Sequence, residues 1–229
     1  MTTRCNASSI CVFKYDSGTT WYELSEIDFS EYKTCNDNHE CFQHPFLTGS
    51  MLQLPSGKYI LSFTASLGED YEDRNVYIRT SYNLRSWTEP KQVGGYQGSD
   101  SKVRTILLPD NRVLMTYYSS EHQSMIVSIS NDGENFEEIQ RFPTSFVFGV
   151  SLIEHNGAVR LFYTNSSKIL YTRKFEQDDR FSSKVNVRYV DSFEPHVTEL
   201  SDGTLGIIYS KDLNEQRDVF FENIGKIQN

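Results

Sequence analysis

The chain is predicted to be all-β, with its sheets arranged radially as the blades of a β-propeller, and three observations predict it. Aromatic residues make up 14% of the 229 residues, Tyr and Phe far outnumber Trp, and Val, Ile and Thr run throughout, which suits pleated, half-buried strands. A hairpin pattern recurs four times. The turns of three copies, at Asp110, Asn156 and Asp202, fall at equal 46-residue steps. A repeat of that length holds the four strands of one blade, whereas a sandwich would not space its strands equally.

Each unit begins with two strands around a turn: MLQLPSGKYILSFTA (51–65), TILLPDNRVLMTYYS (105–119), SLIEHNGAVRLFYTN (151–165) and TELSDGTLGIIYSKD (198–212). Gly, Asn and Asp at the turns supply the positive φ that tight hairpins demand. A third strand and a second type of turn follow in NVYIRTSYNLRSW (75–87), MIVSISNDGENF (125–136) and ILYTRKFEQDDRF (169–181), each closed by a large aromatic. TEPKQVG, EEIQRF and KVNVRYV supply the outer strands.

These repeats occupy residues 47–97, 98–142, 143–190 and 191–229, preceded by N-terminal strands and a Cys-containing loop over 1–46. Length divided by period gives about five blades, with four as the alternative, in one domain over 1–229. The N-terminal strands (10–15 and 20–27) are expected to close the ring with the C-terminal ones, which removes open sheet edges.

The turns KYDSGTTW (14–21), SYNLRSW (81–87) and SNDGENF (130–136) resemble the Asp-box, Ser-x-Asp-x-Gly-x-Thr-Trp, of sialidase-like propellers. Lys14 stands where that motif has Ser, and Asn83 stands where it has Asp. The SYNLRSW-type turn also resembles those of five-bladed arabinanase and fructosidase-like glycosidases. The resemblance implies a turn capped by the Asp side chain, closed by a Gly, with its aromatic packed between blades. Asp16 and Asp132 are then structural. The resemblance also implies a catalytic set of three arginines, a Tyr-Glu pair and an Asp acid. Only Arg104 is placed for that role, since Arg74, Arg79, Arg112 and Arg160 fall in third strands or around hairpin turns. No Arg-Ile-Pro motif occurs, and the Asp-Pro or Asp-Gly strand starts of the five-bladed enzymes are not evident.

A formal charge of −9 and a pI near 5.1 argue against nucleic acid, which needs a basic surface. No apolar run is long enough to span a membrane. The N-terminus MTTRCNASS lacks the apolar stretch of a signal peptide, so either a leader has been removed or export takes another route. Cys5, Cys11, Cys35 and Cys41 form two pairs with identical five-residue gaps. That spacing reads as disulfides fastening the N-terminal segment, with free thiols or a metal site as alternatives, and places the protein outside the cell or on its surface. Asn6-Ala7-Ser8 and Asn165-Ser166-Ser167 match the glycosylation pattern.

In a propeller the first strand of each blade lines the central channel, and ligands bind where the segments leading into those strands converge. Here they are CFQHPFLTGS (41–50), GGYQGSDSKVR (94–104), PTSFVFGVS (143–151) and DSFEPHVTE (191–199). They carry His44, Tyr96, Asp100, Lys102, Arg104, Phe146, Phe148, Glu194 and His196. Sugars offer hydroxyls to charged, planar partners and an apolar face to aromatics, so a glycan or glycoconjugate is the expected ligand. Arg104, His44, His196, Tyr96, Lys102 and Phe148 are the candidate binding residues. Asp100 and Glu194 are the best carboxylate pair for glycoside hydrolysis, the alternative to binding alone. A protein-interaction scaffold is the third reading. No cofactor or metal is expected: the acidic runs Glu69–Asp73 and Glu176–Asp179 read as solvated faces, and His39 and His122 as isolated surface residues.

Overall fold

A computed structural model describes residues 2–6, 9–15, 21–28, 34–35, 41–42, 49–65, 74–95, 101–190, 193–213 and 216–227. Residues 16–20 of the KYDSGTTW turn, the acidic run at 69–73 and His39 lie outside the described residues. Every regular element described is a strand. The chain divides into two compact units, Met1–Glu138 and Ile139–Asn229.

In the first unit β1 (Thr2–Asn6), β2 (Ser9–Tyr15) and β3 (Trp21–Asp28) form a three-stranded sheet of their own. The short β4 (Thr34–Cys35) and β5 (Cys41–Phe42) pair with Cys35 opposite Cys41. Next come β6 (Ser50–Gln53), β7 (Tyr59–Ala65), β8 (Asn75–Ser81) and β9 (Lys91–Gly94), a four-stranded sheet. A second four-stranded sheet contains β10 (Ser101–Leu107), β11 (Val113–Ser119), β12 (Ser124–Ser130) and β13 (Glu137–Pro143), and the division between units falls within β13.

The second unit contains β14 (Val147–His155), β15 (Ala158–Asn165), β16 (Ile169–Lys174) and β17 (Val185–Tyr189) as one sheet. Its other sheet is β18 (Phe193–Glu199), β19 (Leu205–Leu213) and β20 (Gln216–Gly225). Strands pair in chain order throughout, the up-and-down meander of a propeller blade. Four such blades, β6–β9, β10–β13, β14–β17 and β18–β20, give the β-propeller arrangement that the repeat predicts.

Burial within a blade follows strand position. The second strands read YILSFTA, VLMTYYS and AVRLFYTN and are buried on both faces, so they lack the alternation of a one-sided sheet. The outer strands, such as EEIQRFP and VNVRY, are mostly exposed. In the first unit Ile60, Val76, Ile78, Val103, Val113 and Met115 form one core between β6–β9 and β10–β13. In the second, Phe162, Leu170, Val197, Leu205 and Ile207 join β14–β17 to β18–β20. Each such side chain contributes about 1.5–3 kcal/mol by leaving water.

The hairpin turns are copies of one another. Leu54 N–H donates to Lys58 O, Leu108 N–H to Arg112 O and Leu200 N–H to Thr204 O, each at 2.8 Å. The left-handed residue in each is Gly57, Asn111 or Gly203. The fourth differs: Asn156 and Gly157, both at positive φ, form a two-residue turn between the paired His155 and Ala158. His155 is fully buried, with Nδ1 2.8 Å from Glu199 Oε2 and Nε2 3.0 Å from Asn156 Nδ2, an arrangement met by an imidazole protonated on Nδ1.

The second type of turn also repeats. Asn83 Oδ1 accepts the N–H groups of Arg85 and Ser86, both at 2.8 Å, and Asp132 Oδ1 accepts those of Glu134 and Asn135 at the same distance. Ser81 and Ser130 each accept from the residue three positions on, Leu84 or Gly133, at 2.9 Å. The closing aromatics Trp87 and Phe136 pack against the cores between sheets, as expected. Gly133 has φ 74°, and a Cβ there would stand 2.2 Å from Ile60 Cδ1. The left-handed conformation favours glycine at that position, and any side chain there would have to push the end of Ile60 aside.

The backbone N–H groups of Asn135 and Glu134 hold the Asp132 carboxyl well below the usual carboxylate range. A depressed folded-state pKa gives stability that is complete above the unfolded value near 3.8 and is lost as pH falls below it. Asp132→Ala is expected to cost about 1 kcal/mol at neutral pH. Asp132→Asn keeps the acceptor, as Asn83 does, and costs less. Urea midpoints at pH 6 and pH 3 check this: the advantage of the native chain over Asp132→Asn shrinks in acid.

Candidate active site

The candidate site begins with a register irregularity that recurs along the inner strands. On β10, Ser101 pairs with Tyr118 and Arg104 with Thr116, three steps against two. On β14, Val147 pairs with Asn165 and Gly149 with Thr164, two steps against one. On β18, Phe193 pairs with Ser210 and His196 with Ile208, again three against two. Each is a β-bulge with one extra residue, a device that re-aims side chains at the ends of strands. Lys102, Phe148 and Glu194 lie within these bulges, 46 residues apart.

Two neighbours fix the bulges locally. Lys102 has φ 61°, a left-handed conformation costing a side-chain-bearing residue about 1–2 kcal/mol. Strain of this kind collects at functional positions. Gly149 meets the next inner strand so closely that a Cβ would stand 2.7 Å from Pro195 O and 2.8 Å from Pro195 N. Beyond the bulges, hydroxyls stitch adjacent inner strands together: Thr105 Oγ1 donates to Ser50 Oγ at 3.1 Å, and Val197 N–H donates to Ser151 Oγ at 2.8 Å.

In the first unit Lys102 and Arg104 are half-buried on β10, and Arg104 Nη1 donates to Val103 O at 2.7 Å. In the second unit Phe148 is half-buried and packs edge-on against Phe146, with ring centroids 5.3 Å apart. Glu194 lies on β18, beside the β14 bulge, where the contact of Gly149 with Pro195 brings the two strands together. His196 is exposed on the same strand and pairs in register with Ile208. His44, Tyr96 and Asp100 lie outside the described residues.

Sequence reasoning missed the polar turn beside Phe146. Lys168 N–H donates to Asn165 O at 2.9 Å, closing the β15–β16 turn, and Ser166 Oγ donates to Ser145 Oγ at 3.0 Å. The signal available was topological: in a meander, the turn after the second strand returns to the end where the first strand begins. Among the described residues no group of three His, Cys, Asp or Glu side chains could hold a metal ion. Of the acidic run at 176–179, Glu176 pairs with Lys174 at 3.6 Å.

No protein-family model matches the sequence. No curated protein is similar to it. Solved structures do share its fold. The exo-β-1,3-galactanase of Phanerochaete chrysosporium superposes with a TM-score of 0.67 at 9% identity, over 95% of this chain and 54% of that one. An α-L-arabinofuranosidase of Fusarium graminearum gives 0.68 at 13%, over 96% and 69%. A protein of unknown function from Dyadobacter fermentans gives 0.66 at 14%, over 95% and 68%. The chain thus spans about half the length of the galactanase. Identities this low establish the fold alone, a β-propeller.

Proposed function

We propose that the protein binds glycans at the bulged ends of its inner strands. The observation that carries this reading is the bulge repeated at one phase of three inner strands, which holds Lys102 in the first unit and Phe148 and Glu194 in the second. Residues of these types suit ring sugars, whose hydroxyls take charged partners and whose C–H face takes an aromatic ring. Arg104, His196, His44 and Tyr96 complete the binding set. The Ser-capped turns at 81–86 and 130–135 are of the sialidase-like kind, on a scaffold whose arginine set is incomplete. Likeness to a galactanase and an arabinofuranosidase supports carbohydrate as the ligand class.

The protein acts outside the cell or on its surface. No cysteine is free among the described residues, and Cys35 pairs in register with Cys41 across β4 and β5, which supports disulfides and an oxidising compartment. The second reading, glycoside hydrolysis with Asp100 and Glu194 as the carboxylates, is favoured by the glycosidase neighbours. Glycan-array binding, run beside chromogenic galactosides, arabinosides, fructosides and sialosides, separates the two. Binding without turnover supports the first reading, and turnover lost in Glu194→Gln supports the second. Neither binding nor turnover overturns both and leaves the scaffold role.

A further inference from the structure

We propose that Phe146 and the Asn165–Lys168 turn form a stacking subsite for a neutral sugar ring in the second unit; this rests on the glycan-binding reading above. Phe146 is 53% exposed although its neighbour Phe148 holds it edge-on. A single exposed aromatic is ordinary. This one differs in what surrounds it. The next residue, Val147, pairs in register with Asn165, so the turn at Asn165–Lys168 stands beside the ring. Ser166 Oγ donates to Ser145 Oγ at 3.0 Å and ties that turn to the segment carrying Phe146.

The turn is ordered for donation. Asn165 Oδ1 accepts the N–H of Ser167 at 3.1 Å and also its hydroxyl, which fixes the carboxamide and leaves the two Nδ2 protons without an acceptor among the described residues. A ring sugar fits: its C–H face covers Phe146 while its hydroxyls accept from Asn165 and exchange hydrogen bonds with Ser145 and Ser166.

Asn165, Ser166, Ser167 and Ser145 are uncharged, and Lys168 is the one charged residue of the turn. The formal charge of −9 on the whole chain outweighs that single cation and favours neutral glycans over those bearing carboxylate or sulfate.

The test is calorimetric titration of the full chain, made in a host that attaches no N-glycans, with β-1,3-galactotriose, arabinotriose and 3′-sialyllactose. The proposal expects a neutral trisaccharide to bind, Phe146→Ala to weaken it about tenfold and Asn165→Asp about fivefold. Asn165→Asp keeps the Oδ1 acceptor that holds the turn and removes the donor, so its loss reports recognition and not unfolding. Unchanged melting temperatures confirm that both variants fold. Neutral binding that both variants retain within twofold overturns the subsite while the glycan-binding reading stands. Tighter binding of 3′-sialyllactose overturns the preference for neutral sugars. Binding of none of the three overturns the subsite together with the reading beneath it.

Discussion

Gly149→Ala is expected to destabilise the protein by about 2–3 kcal/mol, seen as a lowered denaturant midpoint with an unchanged slope. The new methyl carbon would stand 2.7 Å from Pro195 O and 2.8 Å from Pro195 N. Those are backbone atoms of the adjacent inner strand, which no side-chain rotation can move aside. Relief requires β14 and β18 to separate where their bulges meet. Gly157 makes the comparison: it has φ 69°, but a methyl group there would meet nothing within 4 Å, so Gly157→Ala faces only backbone strain, about 1 kcal/mol. A larger loss for Gly149→Ala than for Gly157→Ala identifies strand packing as the cause. Equal losses would mean that the inner strands are not pressed together at the bulge.

Glu194→Gln is expected to weaken saccharide binding about 10- to 100-fold while leaving the fold intact. The exchange conserves shape and removes the charge, and hydrogen bonds to a charged group are worth about 1.5–3 kcal/mol. Arg104→Ala is expected to act in the same direction. If the protein also hydrolyses glycosides, Glu194→Gln abolishes turnover by a larger factor, about 10²–10⁴, as loss of an acid or base does. Binding affinity and turnover measured on the same variant therefore report which chemistry the carboxylate serves.

The fold was legible because its signals are local and repeated. Asp110, Asn156 and Asp202 mark hairpin turns at one interval, and the residues at 54–58, 108–112 and 200–204 adopt the same hydrogen bonds, while the Asn156 turn is shorter. The turn around Asp132 could likewise be read from Ser, Asp, Gly and a closing aromatic, because each residue type has one structural task there. The bulges were not legible. An extra residue in a strand leaves no mark in composition, and its position emerges only from the pairing of β10 with β11, β14 with β15 and β18 with β19. The burial of His155 against Glu199 was equally hidden, since the two residues are 44 positions apart and no local pattern links them.

The strand-start residues of the candidate site could be picked from the sequence for the same reason. Lys102, Phe148 and Glu194 could be chosen by phase, because the repeat places all three at strand beginnings. The Asn165–Lys168 turn could not, because its proximity to Phe146 depends on the Val147–Asn165 register and the Ser145–Ser166 hydrogen bond.

The central claim is that saccharide binds where the inner strands bulge. Titrating β-1,3-galactotriose and arabinotriose into isotope-labelled protein and mapping the backbone amide shifts tests it most directly. The account predicts that shifts concentrate at residues 101–104, 147–149 and 193–196. Shifts confined to the exposed Val219 and Phe221 on β20, or no shift with either sugar, would contradict it.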